Sequence, residues 1–268
     1  GENIRMKAEH LQFFGRFKTL SVKAQIQAER LSFNTYTNFS KDGLYRQNYF
    51  VGNLSSSWNI ARKYAMGIGT RFEAFTYRPQ ITSKFEFRGR NNLLNTYLQL
   101  RLNTLSNAVY PKRGSKIDIE AGYVFNQKPD VDFYIQGNPV TNLDSLGFNF
   151  NNFIRTKLSY EHYYPLSRKY TFSTLIQAGI NFNQKESLLN NYFIGGLTNS
   201  FRNQITFAGL NEGSVNSSSV VALQFGMRYQ MYSNLFLLGK VNSAVYNFVG
   251  SNKSFGKSTL LTGYSVSL

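Results

Sequence analysis

Cysteine is absent from the 268 residues of the chain, so the protein can form no disulfide, no zinc–thiolate site and no thiolate nucleophile. Apolar runs are short, and none approaches the roughly 18–20 residues of a transmembrane helix. Acidic residues are scarce, because 14 Asp and Glu stand against 30 Lys and Arg, giving a net charge of +16. These absences exclude a disulfide scaffold, thiol chemistry and a helical membrane protein. They leave an excess of positive charge to be explained.

Alternation is the dominant pattern that is present. At least nine stretches, each of about ten residues, alternate apolar and polar side chains. One begins at Tyr170, where the even positions to Phe182 are mostly apolar and the odd positions between them are polar except Leu175. Successive side chains of a strand point to opposite faces, so each stretch has one apolar and one polar face. Repeated at this length, the pattern predicts an all-β fold, an antiparallel transmembrane β-barrel that occupies residues 1–268 as one domain.

Eleven strands are predicted from this pattern. They are residues 3–12, 17–33, 48–60, 63–78, 85–105, 115–126, 152–164, 170–183, 219–232, 235–247 and 257–268. Turns are predicted at 41–43, 61–63, 111–114, 165–168 and 232–234, and long loops at 127–151 and 184–218. The apolar parity slips near Arg30, which predicts a β-bulge. Because single-chain bacterial barrels have an even number of strands, either two are merged within 80–105 or the chain is incomplete.

The positive charge has two possible explanations. Nucleic-acid binding is one, because a basic balance often marks it. The other is a basic lumen with basic rims that face lipopolysaccharide phosphates or an anionic passenger. The basic residues stand singly on the polar parity of the strands, as Arg71, Arg155 and Lys157 do. This placement favours the lumen, and we expect no nucleic-acid partner. The carboxylates on the same parity, such as Glu73 and Glu161, are expected to form lumenal cross-strand ion pairs.

Catalytic motifs are not found in the sequence. No Gly-x-Ser-x-Gly occurs, and Gly250–Ser258 has five residues between its glycines where a phosphate-binding loop needs four. His10 and His162 are the only histidines, and an aromatic girdle explains His162 better than catalysis or a metal does. We therefore expect no catalytic residue, cofactor or metal in this chain. A barrel-borne outer-membrane enzyme and a soluble sandwich remain the alternatives, the second disfavoured by the length of the strands.

A turn and a loop carry a family resemblance. Pro111-Lys112-Arg113-Gly114 forms a tight turn, in which proline presets φ and glycine supplies a positive φ. This turn, three alternating strands and a loop containing Gly195-Gly196 together resemble the barrel of the outer-membrane assembly and two-partner secretion superfamily. The resemblance implies that the loop folds back into the lumen and that Arg202 packs against an inner-wall strand. Asn203 stands where the superfamily has glycine. The expected partner of Arg202 is Asp118 or Glu120, and an ordinary extracellular loop is the alternative.

One branch of the superfamily is more similar to residues 105–268. Asn203–Leu210 and the strand after it look like the C-terminal barrel of patatin-like phospholipase proteins of the type V secretion kind, the bacterial surface antigen type. That resemblance implies sixteen strands, a hydrolase domain upstream and a barrel that anchors, and helps to export, its own N-terminal domain at the Gram-negative outer membrane. An assembly or secretion barrel for other proteins is the alternative. The expected partners are outer-membrane lipid, lipopolysaccharide, the N-terminal domain or passenger, and the barrel-assembly machinery. Because Gly1–Arg5 have no signal-peptide character, we expect a mature product or a fragment.

Overall fold

The structure is a computed structural model. It describes residues 3–37, 39–61, 63–81, 85–140, 150–182, 190–198, 202–232, 234–249 and 259–268. Gly250–Ser258 lie outside the described residues, as do parts of both predicted long loops. Among the described residues, no helix is long and apolar enough to cross a membrane.

One antiparallel sheet of long strands dominates the fold. Its long strands are β1 (Ile4–Phe14), β2 (Leu20–Thr37), β3 (Ser40–Ile60), β4 (Tyr64–Ile81), β5 (Phe85–Asn103), β6 (Gly114–Ile135), β8 (Phe153–Pro165), β9 (Tyr170–Phe182), β13 (Ser219–Tyr232), β14 (Leu235–Tyr246) and β15 (Thr259–Ser267). Each pairs with the next in that order, and the short β7 (Asn138–Pro139) pairs with β6. The described strands leave the sheet open between β1 and β15. The eleven predicted strands correspond one for one to these long strands, which confirms the all-β antiparallel prediction.

The two faces of the sheet differ as the alternation predicts. Leu98, 63% exposed, and Leu100 point outward, whereas Gln99 between them lines an inner cavity with Glu120 and Arg101. The outward face carries the large exposed apolar side chains that a lipid-facing belt requires, because lipid offers no hydrogen bonds to polar groups. Residues that share its parity are Ile117, Ile119, Phe172, Ile176, Ile180 and Leu223, and those that share the inner parity are Lys116, Gln177 and Arg228.

The hairpin between β2 and β3 corrects one predicted turn. Thr37 pairs with Ser40, so the chain reverses between these two residues, and the predicted turn at 41–43 lies inside β3. Asp-Gly is a strong turn signal, but here the glycine serves a bulge, since the register shifts between Thr35 and Tyr36. A Cβ on Gly43 would lie 2.6 Å from the Thr35 hydroxyl oxygen. The glycine is therefore needed for close approach rather than for chain reversal.

Strand β6 corrects the predicted long loop at 127–151. It continues past residue 126 to Ile135, because Asn126 takes a left-handed φ of 53° and creates a bulge against β5. After the bulge, the residues that faced outward by parity face inward, and the reverse. The apolar–polar alternation therefore changes phase at this point, and in the sequence such a change looks like the end of a strand.

The parity slip near Arg30 has a different cause from the predicted bulge. The pairing of β2 with β3 runs through Arg30 without a shift, and its pairing with β1 is unbroken up to Arg30, so the bulge prediction is wrong. Leu31 and Phe33 point inward and are buried, and Phe33 joins an aromatic cluster with Tyr45. The apolar parity changes because the interior is apolar at this end of the sheet. The question whether two strands are merged within 80–105 is also answered, because residues 85–103 form the single strand β5.

Candidate functional site

The connection from β9 to β13 folds back against the inner face of the sheet. Its described parts, residues 190–198 and 202–218, are called the inner loop. They form a small sheet in which β10 (Tyr192–Ile194) pairs in parallel with β11 (Gln204–Ile205) and antiparallel with β12 (Val215–Ser217). This compact unit has its own hydrogen-bonded core, which an ordinary extended loop lacks.

Polar contacts hold the inner loop to three wall strands. The Tyr192 hydroxyl donates to the Thr156 carbonyl on β8 at 2.7 Å. The Thr206 hydroxyl donates to the side-chain carbonyl of Gln177 on β9 at 2.7 Å, and the Thr206 amide donates to the same oxygen. On β14, the Asn242 side chain accepts from the Ala208 amide at 2.9 Å and donates back to its carbonyl. Side chains of the wall therefore bind the loop backbone at Thr206 and Ala208, and a loop side chain binds the wall backbone at Thr156.

An apolar contact backs these hydrogen bonds. Ile194 and Phe207 are fully buried and pack with Val220, Ala222 and Ala244, which are inward residues of β13 and β14. Fully burying one side chain of the size of Ile or Phe stabilises by about 1.5–3 kcal/mol. The loop is thus docked by a packed core as well as by polar contacts.

Two wall glycines make room for the loop. A Cβ on Gly179 would lie 2.3 Å from the Tyr192 ring, and a Cβ on Gly263 would lie 2.2 Å from the Ala208 carbonyl oxygen. Both glycines hold inward positions of long strands, where glycine weakens a strand unless something approaches closely. These glycines were the sequence signal for a buried loop contact, and sequence reasoning did not use them.

Gly195 and Gly196 form a tight crossing inside the loop. Their φ values are 131° and 80°, in the region that favours glycine. A Cβ on Gly195 would lie 2.0 Å from the Asn211 carbonyl oxygen. Gly196 donates to Leu210 O at 3.0 Å and accepts from the Phe207 amide at 2.9 Å. The pair therefore brings the two arms of the loop together.

Arg202 meets a buried carboxylate on the wall. Its guanidinium forms an ion pair with Glu73 on β4 and lies over the rings of Phe75, at 4.9 Å, and Tyr49, at 5.3 Å. Glu73 also accepts from Arg155 on β8 at 3.1 Å, and both of these side chains are only 1% exposed. One buried carboxylate thus joins the loop to strands that are far apart in the sheet.

The carboxylate that Arg202 contacts is not one of the two that the sequence analysis expected. Glu120 is bound by both terminal nitrogens of Arg71, the closer at 2.8 Å. Asp118 lies 3.4 Å from Arg101 and 3.7 Å from Lys116. Both expected partners are on β6, and they are already paired with cations on β4, β5 and β6 itself. Glu73 was predicted to lie in a lumenal ion pair, but its contact with a residue 129 positions away has no sequence signal.

A comparison with known protein families agrees with the fold described above, a sheet with an apolar outer face and a loop docked on its inner face. The sequence profile of the OMP85 superfamily matches residues 10–268. The chain belongs to the OMP85 superfamily. It is therefore a barrel protein of the bacterial outer membrane, as the alternation and the Pro-x-x-Gly turn predicted.

Two solved structures resemble this OMP85 chain. Against BamA from Haemophilus ducreyi lacking POTRA domains 1–3, the TM-score is 0.65 at 10% identity, covering 98% of this chain and 56% of that one. Against CdiB from Acinetobacter baumannii, the TM-score is 0.55 at 12% identity, covering 99% of this chain and 44% of that one. The chain thus spans about half the length of these structures. No curated protein sequence matches it.

Asn203, which stands where the resemblance implies glycine, takes a backbone conformation that glycine also permits. It adopts a φ of 57°, in the left-handed region that asparagine tolerates better than most residues do. Its side-chain amide donates to the Asn190 carbonyl at 3.4 Å, and the Asn190 side chain accepts from Arg155 at 2.9 Å. The loop therefore accommodates asparagine in a conformation that glycine also permits, and the asparagine side chain contacts the opposite end of the loop.

The Pro111–Gly114 turn reaches across the end of the sheet. Gly114 takes a φ of 105°, and a Cβ there would lie 2.2 Å from the Thr104 carbonyl oxygen. The Pro111 carbonyl accepts from Arg228 on β13 at 2.6 Å, and Tyr110 stacks on Phe236 of β14 at 4.6 Å. The turn therefore ties β5 and β6 to strands on the far side of β8 and β9.

The histidines differ from the sequence expectation in one respect. His162 does have a serine partner, because its Nδ1 lies 2.8 Å from the Ser115 hydroxyl on β6, and it stacks with Tyr160. Glu161, which the sequence analysis expected in a cross-strand ion pair, accepts a hydrogen bond from the Tyr163 hydroxyl at 2.6 Å and does not orient the His162 ring. Among the described residues, no group of His, Asp and Glu could hold a metal ion.

Proposed function

We propose that this barrel moves polypeptide at the outer membrane and that the inner loop controls the passage. OMP85 membership supports a role of the assembly or secretion class. The observation that carries the proposal is the docking of the inner loop through Arg202 and Glu73, with Thr206 held by Gln177. A loop that fills the lumen must shift before a chain can pass there. Most of its anchors are hydrogen bonds and ion pairs, which water can replace.

The cargo that we propose is the protein's own N-terminal segment. The support is the resemblance of residues 105–268 to barrels that anchor a patatin-like domain. The basic inner face, with Arg71, Arg155 and Lys157, suits a passing chain of negative or mixed charge once the loop has shifted, because Arg155 is buried against Glu73 while the loop is docked. On this proposal the chain itself carries out no hydrolysis, and any enzymatic activity belongs to a domain encoded upstream. A Gly-x-Ser-x-Gly domain in the parent reading frame supports this, and an upstream region of only small βαα domains contradicts it.

The test uses the absence of cysteine, since an introduced pair is then unique in this chain. In Thr206→Cys with Gln177→Cys, a short bis-methanethiosulfonate crosslinker tethers the loop to β9 in the full-length protein expressed in cells. A linker is used because Gln177 reaches Thr206 through the end of its side chain. The control pair, Thr70→Cys with Thr96→Cys, joins two wall strands whose hydroxyls lie 3.3 Å apart on the outward face.

Export is measured as cleavage of the N-terminal region by protease added outside intact cells. We expect the loop tether to block export and a reductant to restore it, while the control pair exports normally. Normal export with the loop fully tethered contradicts control by the loop. If the parent instead speeds the insertion of a second barrel into liposomes and shows no export, the assembly function replaces export of its own segment.

A further inference from the structure

The short-turn end of the barrel carries charge of one sign. Five connections meet there. Four of them carry basic residues: 15–19 between β1 and β2, 61–63 between β3 and β4, 104–113 between β5 and β6, and 166–169 between β8 and β9. The fifth, 233–234 between β13 and β14, carries none. Seven of their described residues are basic, namely Arg16, Lys18, Lys63, Lys112, Arg113, Arg168 and Lys169, and none is acidic. These seven residues are called the basic collar. All seven are exposed.

The collar differs from the opposite end of the sheet in having no acidic residue. Among the described residues, no ion pair involves a collar residue. At the opposite end, Arg88 lies 3.8 Å from Asp132 and Arg90 lies 3.1 Å from Asp130, although other cations there, such as Arg30 and Lys128, also form no ion pair among the described residues. The collar is therefore distinguished by cations without accompanying carboxylates. Like charges gathered without counter-ions repel one another, so the cluster favours an anionic partner.

A belt of exposed aromatic residues lies beside the collar. It comprises Phe14, Phe17, Trp58, Tyr64, Tyr164, Tyr170 and Tyr232, which stand at the strand ends or turns of the same mouth. Phe17 is 80% exposed and lies between two collar cations. Exposed aromatic rings at a barrel end mark the membrane–water interface, where rings lie at headgroup depth. The collar therefore lies at the level of the lipid headgroups.

We propose that the basic collar binds the phosphate groups of anionic phospholipids in the periplasmic leaflet. The short turns of bacterial barrels face the periplasm, which assigns the leaflet. Lys and Arg near an anionic lipid surface are attracted to it over about a Debye length, roughly 8 Å at physiological salt. The collar repeats its cations on four successive hairpins, so it presents charge along an arc of the barrel, as a lipid annulus requires. This inference goes beyond polypeptide transport and does not rest on it.

The test compares two charge-removing variants of equal size. In the collar variant, Arg16→Gln, Lys18→Gln, Arg168→Gln and Lys169→Gln remove four cations and spare Lys112, which donates to Gln230 and to the Arg168 carbonyl. In the control variant, Arg30→Gln, Lys41→Gln, Arg78→Gln and Lys128→Gln remove four exposed cations at the long-loop end. Lipids bound to the full chain in detergent are counted by native mass spectrometry after addition of phosphatidylglycerol or phosphatidylcholine.

We expect the wild-type chain to prefer phosphatidylglycerol, and we expect that preference to fall about tenfold in the collar variant and little in the control. The preference of the wild-type chain for phosphatidylglycerol should also fall as the salt concentration rises, and this measurement requires no variant. A charge-conserving exchange of Arg and Lys at the four collar positions should retain binding, which separates lost charge from lost folding. Unchanged binding of phosphatidylglycerol by the folded collar variant overturns the proposal, and so does an equal loss in the control, because charge at either end would then suffice.

Discussion

Arg155 and Glu73 face each other at 3.1 Å across the interior of the barrel, on β8 and β4, and each side chain is 1% exposed. Arg202 of the inner loop binds the same carboxylate. The buried carboxylate thus balances one cation from the wall and one from the loop. The ion pair that docks the loop therefore also neutralises charge in the interior. If the loop left, Glu73 would lose Arg202 and keep only Arg155 as its partner.

Glu73→Gln is expected to lower the free energy of unfolding by about 3–5 kcal/mol, because two buried guanidinium groups lose their carboxylate. Asp118→Asn is the matched control, since Asp118 is more than a third exposed and its ion pairs should contribute about 0–1 kcal/mol. Urea unfolding of the barrel in lipid vesicles measures both. Equal losses in the two variants would show that the pair with Arg155 and Arg202 is not buried in the membrane-inserted protein.

Gly179→Ala is expected to displace the inner loop, because the new Cβ would meet the Tyr192 ring at 2.3 Å. Trypsin cleavage after Arg202 reports this, since Arg202 is protected while docked. Gly52→Ala is the control, having nothing within 4 Å of the added carbon. Gly179→Ala should be cleaved faster than the wild type and Gly52→Ala at the wild-type rate. Resistance of Gly179→Ala equal to the wild type's would place the Tyr192 ring elsewhere.

Asn203→Gly is expected to be nearly neutral, and Asn203→Val to cost about 1–2 kcal/mol, because a β-branched residue resists the left-handed φ of 57°. The two variants change the same contact to Asn190, so their difference isolates the backbone conformation. Thermal unfolding in detergent compares them. If both lose the same stability, the side-chain contact matters and the backbone conformation does not.

Leu98→Arg and Gln99→Arg test the assignment of the two faces with adjacent residues. Leu98 points to lipid, where arginine should cost about 2–4 kcal/mol at mid-depth, whereas Gln99 lines the interior and should tolerate it. Gln177 is less suitable than Gln99 because it holds Thr206. Folding into vesicles, followed by denaturant titration, gives both values. A larger loss for Gln99→Arg would invert the faces.

Ser115→Ala and His162→Ala test the enzymatic alternative. The hydroxyl and the imidazole lie 2.8 Å apart, but a working triad also needs a group that orients the histidine. We expect the folded chain to hydrolyse neither phospholipid nor p-nitrophenyl esters, with or without these changes. Hydrolysis by the wild-type chain that His162→Ala abolishes would make the barrel an enzyme.

The sequence predicted the strands well because lipid imposes a strict rule on side chains at each outward position. It failed where that rule does not act. Leu31 and Phe33 are apolar and inward, since the interior itself is apolar there. Residue Asn126 carries a bulge that no periodicity reveals, because a change of phase and the end of a strand look alike.

The candidate site was predictable in its parts but not in its contacts. Gly195, Gly196 and Arg202 were found through the family resemblance, and Glu73 through its parity. Their assembly depends on how a curved sheet brings β4 opposite the inner loop, which is a long-range property of the fold. The Asn203 substitution could be judged only once its φ was known.

The most direct test of the docked loop is crosslinking of Thr206→Cys to Gln177→Cys by a short, uncharged bis-methanethiosulfonate in intact outer membranes, read alongside labelling by a membrane-impermeant maleimide. The account predicts a high crosslink yield, because Thr206 contacts the end of the Gln177 side chain, and Thr206→Cys alone should resist labelling from outside. No crosslink, together with rapid external labelling of Thr206→Cys, would contradict it, because the loop would then lie outside the barrel.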